Sequence, residues 1–474
     1  MRVAVIGAGC SGVTAVKACL EENIDVVCYE RGANSGGLWW YRDAEDDDLG
    51  TGSVMRFTVC NTSKEMCVYS DYPPSQELPV FLEHEQMVGY IRDYADHFRV
   101  TPLIRFRHEV VHVSEDLALR VRNLETDEEF EETFDRVMVC SGHHSIPSIP
   151  LVPGREKFGG RVMHSREYKY SDENLRGKRV VVVGFGNSAV DMAVDMTGFT
   201  KQVLLSIRRA NWVVPRHVGG VPIDVTFSKQ LYMFFYNYVP IYVGSSWAWT
   251  PSTSCWRKAP VISSDLAERV LNGSIRFRGE IEAFTEQGVI MDGVEECVDM
   301  VVFATGYKSS VPFASDVLPR DGDTPLLYRR IFPPEHARVA FIGLFDRHEM
   351  MIDHVPYMEE LASIMGIKPN FCRMLVTDPI LYLAAVRAPM LNYRFRLQGP
   401  HAWPGARDAI MGYESRMKAP LKPPARLFRS ERRRPEITLV SVVLLIVVLC
   451  LAVMLTSEFP LFSAFIWCAG ALVL

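Results

Sequence analysis

The sequence predicts an α/β fold built from two nested Rossmann-type dinucleotide-binding domains, followed by a C-terminal transmembrane helix. Three observations carry that prediction. The stretch RVAVIGAGCSGVTAVKACL (2–20) runs from an apolar strand through a glycine-rich turn into a helix. KRVVVVGFGNSAVDMAVDM (178–196) repeats the pattern roughly 175 residues later. ITLVSVVLLIVVLCLAVML (437–455) holds nineteen residues without a charge, about the length needed to cross ~30 Å of hydrocarbon.

A chain of 474 residues is too long for one ordinary domain. Hydrophobic residues make up 48% and charged residues 23%, which fits a globular body. The net charge of −6 gives no reason to expect nucleic acid as a partner. None of the eleven cysteines forms C-x-x-C, and Cys60 and Cys67 are the only moderately close pair. That usage argues against a disulfide framework, a zinc ribbon or a dithiol redox centre, and for free cytosolic thiols.

The first turn, Gly7-Ala8-Gly9-Cys10-Ser11-Gly12, is a complete G-x-G-x-x-G between strand and helix. Gly7 permits the tight turn, Gly9 lets the backbone approach a pyrophosphate, and Gly12 lets helix and strand pack closely. The positive end of the helix dipole then faces the phosphates. Glu30 ends the second strand, 23 residues after Gly7, where an acid accepts hydrogen bonds from ribose hydroxyls. The second turn is Gly184-Phe185-Gly186-Asn187-Ser188-Ala189, with Ala at the third position. No acid stands 23 residues on. Ile207 does, flanked by Ser206, Arg208 and Arg209. A carboxylate there would repel the 2′-phosphate of NADP, whereas guanidinium pairs with it. The pattern therefore favours NADPH over NADH, unless the two arginines are a solvated surface pair.

Between the two units, VMVCSGHHSIPSIPLVPG (137–154) reads as a strand leading into a Pro/Gly-rich crossover. DMVVFATGY (299–307) and VAFIGLFD (339–346) read as further strands. The acidic run 43–48 reads as a solvated loop. The segment 225–249, rich in Phe, Tyr and Trp, reads as a packed helix, with a membrane-lying or substrate-lining face as the alternative. Arg429, Arg432, Arg433 and Arg434 precede the apolar run, so the positive-inside rule leaves the globular body in the cytosol. A buried core helix is the alternative for 437–455. Residues 459–474 fit a lumenal tail, a return span or an interfacial segment equally well.

Phe158-Gly159-Gly160-Arg161-Val162-Met163-His164-Ser165-Arg166-Glu167-Tyr168 is F-x-G-x-x-x-H-x-x-x-Y. That string resembles the identifying sequence of the flavin-containing monooxygenases, and its final Tyr separates them from the related Baeyer–Villiger enzymes. SGGLW (35–39), NTSKEM (61–66), MVCSGHH (138–144), FATGY (303–307) and GPHAWPGAR (399–407) are similar to segments of the same family.

The resemblance implies FAD in the first unit, NADPH in the second, and an endoplasmic reticulum membrane anchor. The domains would be 1–152 and 299–428 for FAD, 153–298 for NADP and 437–455 for the anchor. Gly7, Ala8, Gly9, Cys10 and Ser11 would hold the FAD pyrophosphate and Glu30 its ribose. Leu38 and Trp39 would line the flavin, if they are not core residues. Cys60, Asn61 and Thr62 would lie at the flavin ring, with Asn61 the catalytic donor. Gly184, Gly186, Ser188, Ala189, Val190 and Asp191 would form the NADP pocket. His164 and Arg166 are acid–base candidates, with domain-linking hydrogen bonds the alternative role. In this family NADPH reduces the flavin, and molecular oxygen then gives a C4a-hydroperoxide that oxygenates a soft amine or sulfide.

The chain departs from the family in two places. It lacks several dozen residues between VAFIGLFD and HVPYMEEL (354–361), and GSSWAWTPSTSCWRKAPVI replaces a His- and Tyr-containing stretch near 243–262. An uncoupled NADPH oxidase releasing hydrogen peroxide, or an inactive FAD-binding relative acting as a membrane-held interaction protein, are therefore the alternative functions.

Overall fold

A computed structural model describes residues 1–43, 52–226, 260–308, 310–322, 324–344 and 347–421. The acidic run beyond Asp43, the aromatic segment from residue 227, the stretch 243–259, Asp346 and the expected span 437–455 lie outside the described residues. No helix among the described residues is long and apolar enough to cross a membrane.

The first glycine turn joins β1 (Arg2–Ile6) to α1 (Cys10–Glu21), which leads to β2 (Asp25–Tyr29). Both strands bury four of five residues, the pattern of parallel strands covered on both faces. Alternation sorts the side chains of β1. Val3 and Val5 pack with Val13 and Val16 of α1 and with Tyr90 and Ile91, while Ala4 and Ile6 face Val113, Leu119 and Val121. Tyr90 and Ile91 belong to α3 (His84–His97), which follows the single turn α2 (Lys64–Cys67). Val113, Leu119 and Val121 belong to an antiparallel meander. It begins after β3 (Ile104–Arg105) and comprises β4 (His108–Val113), β5 (Ala118–Asn123) and β6 (Glu129–Thr133). The chain then re-enters the sheet as β7 (Arg136–Val139), parallel to β1.

The crossover carries β8 (Ile146–Pro147) and β9 (Arg161–His164). The second glycine turn joins β10 (Arg179–Val183) to α4 (Asn187–Met196), followed by β11 (Gln202–Ser206). Four short strands come next: β12 (Val213–Val214), β13 (His217–Val218), β14 (Val221–Pro222) and β15 (Val261–Ile262). β13 and β14 form a hairpin, and α5 (Ile223–Thr226) follows it. The helix Leu266–Leu271 leads to β16 (Ile275–Arg278) and a second meander of β17 (Ile281–Phe284), β18 (Gly288–Met291) and β19 (Val294–Cys297). β20 (Met300–Phe303) then runs parallel to β10.

A boundary at 298, as the resemblance implies, assigns the strand in DMVVFATGY to the second part of the first unit. The strand instead lies inside the second sheet, flanked by β10 and β9. The meander returns the chain to the sheet it left, as the earlier meander does before β7.

After β20 come β21 (Tyr307–Lys308), which pairs antiparallel with β8, the hairpin of β22 (Arg320–Asp321) and β23 (Thr324–Pro325), and β24 (Val339–Phe341). β24 is parallel to β7 and closes the first sheet. The two sheets have matching orders, β24-β7-β1-β2-β3 and β9-β20-β10-β11-β16. Helices Arg347–Ile364, Phe371–Thr377, Pro379–Arg387 and Ala406–Lys418 complete the described chain. Asp378 caps the third of these, accepting from the Leu381 N–H at 3.0 Å, with Pro379 in the first turn.

Candidate active site

Both glycine turns lie at the carboxyl ends of their parallel strands, where open α/β sheets bind ligands. Gly7 has φ +101°, and a Cβ there would sit 2.7 Å from the Cys140 carbonyl oxygen at the end of β7. Gly184 has φ +130°, and its Cβ would sit 2.5 Å from the Ala304 carbonyl oxygen after β20. Gly9 and Gly186 head α1 and α4 with no side-chain cap and no acid in either first turn. Those helix N-termini therefore keep backbone N–H donors available to phosphate, the donor chemistry both nucleotides require.

Glu30 supports the first turn directly. Its two oxygens accept from the Ala8 N–H and the Gly32 N–H, each at 2.7 Å. The SGGLW segment packs on the same turn, with the Gly36 N–H donating to the Ala8 carbonyl at 3.0 Å. Leu38 is exposed beside it, whereas Trp39 packs against the first core.

The NTSKEM segment is held by buried charge. The Lys64 ammonium donates to the carbonyls of Leu78, Ser75 and Gln76 at 2.6, 3.1 and 3.3 Å, and burial lowers its pKa. Glu65 accepts from Arg416 Nε at 2.7 Å and Nη2 at 2.8 Å, and from the Tyr393 hydroxyl at 3.0 Å. A fully buried carboxylate survives because those donors replace water. Asn61 is half-buried and Thr62 exposed at the start of this segment. Asn61 Oδ1 accepts from Arg216 Nη2 at 3.1 Å, and the Ser63 N–H donates to Asp224 Oδ2 at 2.6 Å. The spacing of residues in the sequence gave no sign of Arg216 or Asp224, because both partners come from the far side of the second glycine turn.

Burial limits what several of the expected site residues can present. The Cys60 side chain faces the first core, so only its backbone can border the site. Ala189 and Val190 are fully buried against the second sheet, on the inner face of α4. Ser206 is buried, and its hydroxyl donates to the Gly279 carbonyl at 2.9 Å. Ser188 and Gly186 are exposed at the turn, and Asp191 lies one helical turn further on. Burial raises the Asp191 carboxyl to about 6, with Arg216 opposing the rise and Asp265 adding to it. Arg208 is 72% exposed, its guanidinium 3.9 Å from Glu280.

The F-x-G-x-x-x-H-x-x-x-Y string forms β9 and what surrounds it. Phe158 packs against Phe284, the rings tilted at 46° with centroids 5.3 Å apart. His164 Nε2 meets the Gly306 carbonyl at 3.0 Å, and Arg166 Nη1 donates to the Ser145 carbonyl at 3.3 Å. Tyr168 donates to Asp195 of α4. His164 and Arg166 thus hold backbone carbonyls of the segments that follow β20 and β7.

The model of the family described as flavin-binding monooxygenase-like matches residues 1–352 and 341–458. This chain belongs to that family. Flavin-containing monooxygenase 5 of Rattus norvegicus is 34% identical over 503 residues, covering 89% of this chain and 93% of its own. Flavin-containing monooxygenase 2 of Homo sapiens is 33% identical over 500 residues, with the same coverage. Among solved structures, the S-allyl-L-cysteine S-oxygenase of Allium sativum superposes with a TM-score of 0.56 at 19% identity, covering 88% of this chain and 93% of that one. A steroid monooxygenase bound to NADP gives 0.51 at 18% identity, covering 88% and 99%. These two show the Rossmann-type fold. Membership in the flavin monooxygenases brings FAD and NADPH as cofactors. The alignment to the rat relative spans 503 positions while drawing on 89% of 474 residues, so that flavin monooxygenase has residues with no counterpart here.

Proposed function

We propose that this protein is an NADPH-dependent monooxygenase that inserts one oxygen atom into soft nucleophilic nitrogen or sulfur centres of small molecules. In balance, substrate, O₂, NADPH and a proton give oxygenated substrate, NADP⁺ and water. FAD would occupy the first turn and the coenzyme the second. The observation that supports this reading best is the placement of Asn61. It stands in a segment fixed by buried Lys64 and Glu65 and touched by Arg216 from the coenzyme-carrying unit.

Bound FAD supplies hydride acceptance and oxygen activation. The chain's own residues do the rest. The uncapped N-termini of α1 and α4 hold phosphates, Glu30 takes the ribose, and Arg208 and Arg209 meet the 2′-phosphate. Asn61 offers an amide N–H donor where negative charge develops on oxygen. No protein acid–base pair is required, which agrees with the structural roles of His164 and Arg166. The apolar run 437–455 would anchor the protein in the endoplasmic reticulum membrane, with the body on the cytosolic side.

A second reading, an uncoupled NADPH oxidase, draws on the residues that relatives have and this chain lacks. A less enclosed flavin would release hydrogen peroxide. Stoichiometry separates the two: NADPH consumed, peroxide released and product formed, with a tertiary amine or a sulfide as substrate. Product accounting for most of the NADPH supports the oxygenase. Peroxide accounting for nearly all of it makes the protein an oxidase, and flavin that NADPH does not reduce rules out both.

A further inference from the structure

Guanidinium carries five N–H donors and no acceptor. The Asn61 side-chain atom facing Arg216 Nη2 at 3.1 Å must therefore be the amide oxygen. That contact fixes the amide in one of its two orientations and leaves the NH₂ as the group Asn61 can offer elsewhere. Without it, the two faces of the amide would be nearly equivalent, and half the population could present an acceptor where a donor is needed.

The source of the contact matters. Arg216 lies 155 residues from Asn61, immediately before the β13–β14 hairpin, and Asp224 lies just after that hairpin. Asp224 holds the Ser63 N–H at 2.6 Å, so one excursion of the second unit grips the 61–63 turn at both ends. Arg216 also acts on the buried carboxyl of Asp191 in α4, favouring its charged form. Its Nε is buried with no hydrogen-bond partner among the described residues. The guanidinium thus stands between the helix that follows the second glycine turn and the amide at the flavin site.

We propose that Arg216 is a positioning residue that orients the Asn61 amide, so that its NH₂ becomes the donor presented to the flavin. The inference rests on the functional reading above. It places the control of Asn61 in the coenzyme-carrying unit rather than in the unit that contains Asn61.

A double-substitution cycle on the full-length, FAD-loaded protein tests it. Peroxide released per NADPH is measured for wild type, Asn61→Ala, Arg216→Ala and the double variant. Arg216→Ala is expected to raise the peroxide share roughly tenfold, the scale of losing one charge-assisted hydrogen bond. The same change in the Asn61→Ala background is expected to add almost nothing. Arg216→Lys, which also only donates, is expected to restore most of the coupling. Equal effects of Arg216→Ala with and without the Asn61 amide would overturn the proposal.

The visible absorption of the bound, oxidised flavin gives a readout that needs no turnover. Asn61→Ala and Arg216→Ala should shift the band alike, and Arg216→Lys should leave it in place. A band moved by Asn61→Ala but not by Arg216→Ala sinks the inference even if NADPH is never oxidised. A wild-type protein with normal flavin absorption but no NADPH oxidation sinks the functional reading alone.

Discussion

A Cβ built on Gly12 would fall 1.7 Å from the carbonyl oxygen of Gly7. Helix α1 and the end of β1 are in backbone contact there, and no side chain can give way. Gly9 differs, because its nearest neighbour would be the Gly37 Cα at 3.6 Å, an ordinary contact. The two positions should therefore fail differently. Gly12→Ala is expected to unfold the first unit or cost several kcal/mol, on the order of a severe core overpacking. Gly9→Ala is expected to fold with a melting temperature near that of wild type and to lose FAD, because the methyl group occupies the pyrophosphate approach. Thermal unfolding together with flavin content per chain checks both. A Gly9→Ala protein with full flavin would remove the first turn from the FAD site.

Coenzyme choice should depend on Arg208 and Arg209. Arg208 is exposed and only loosely engaged by Glu280, so its guanidinium is available to a 2′-phosphate. Replacing both with Ala is expected to lower the NADPH-to-NADH ratio of kcat/KM by about tenfold or more. A ratio that does not move identifies them as surface charges.

Asp191 gives the protein a pH signature. Its carboxyl sits at about 6 in the fold against an ordinary 3.8, chiefly because of burial. The neutral form is favoured by folding, so the stability it contributes is complete below pH 4 and disappears as pH rises through 6. Asp191→Asn removes that dependence. The difference in unfolding free energy between wild type and variant should change by roughly 1–3 kcal/mol between pH 4 and pH 7. A flat difference across that window would mean the carboxyl is ionised throughout.

Truncation before Pro435 removes the uncharged run 437–455 while keeping every described residue. The shortened protein is expected to stay in the supernatant when membranes are pelleted, with its flavin retained. Persistent pelleting would assign membrane attachment to another part of the chain.

Much of this architecture is written locally. The strand, turn and helix of each unit follow from Gly7, Gly9, Gly12, Gly184 and Gly186, because the steric demands of those positions act within a few residues. The destination of β20 was not legible, since Met300–Phe303 is equally apolar whichever sheet it joins; only pairing with β10 and β9 decides. Helical periodicity does place the side chains of Ala189 and Val190 on the inner face of α4, against the sheet. The burial of Lys64 and Glu65 has no local signal, because Arg416, the partner of Glu65, stands more than three hundred residues away. Arg216 was hidden for the same reason.

The matching strand orders conceal a difference in timing. All five strands of the second sheet lie between Arg161 and Phe303, so that sheet can close as soon as this stretch has left the ribosome. The first sheet begins at Arg2 yet must wait for Val339–Phe341 to cover β7. During synthesis the older unit therefore remains open along one edge while the younger one is already complete. That edge is a row of unpaired backbone groups able to recruit a foreign strand. A nascent chain that has emerged past residue 303 but not yet to 339 holds a finished coenzyme sheet beside an unfinished flavin sheet, which makes this interval the one in which it most needs a chaperone.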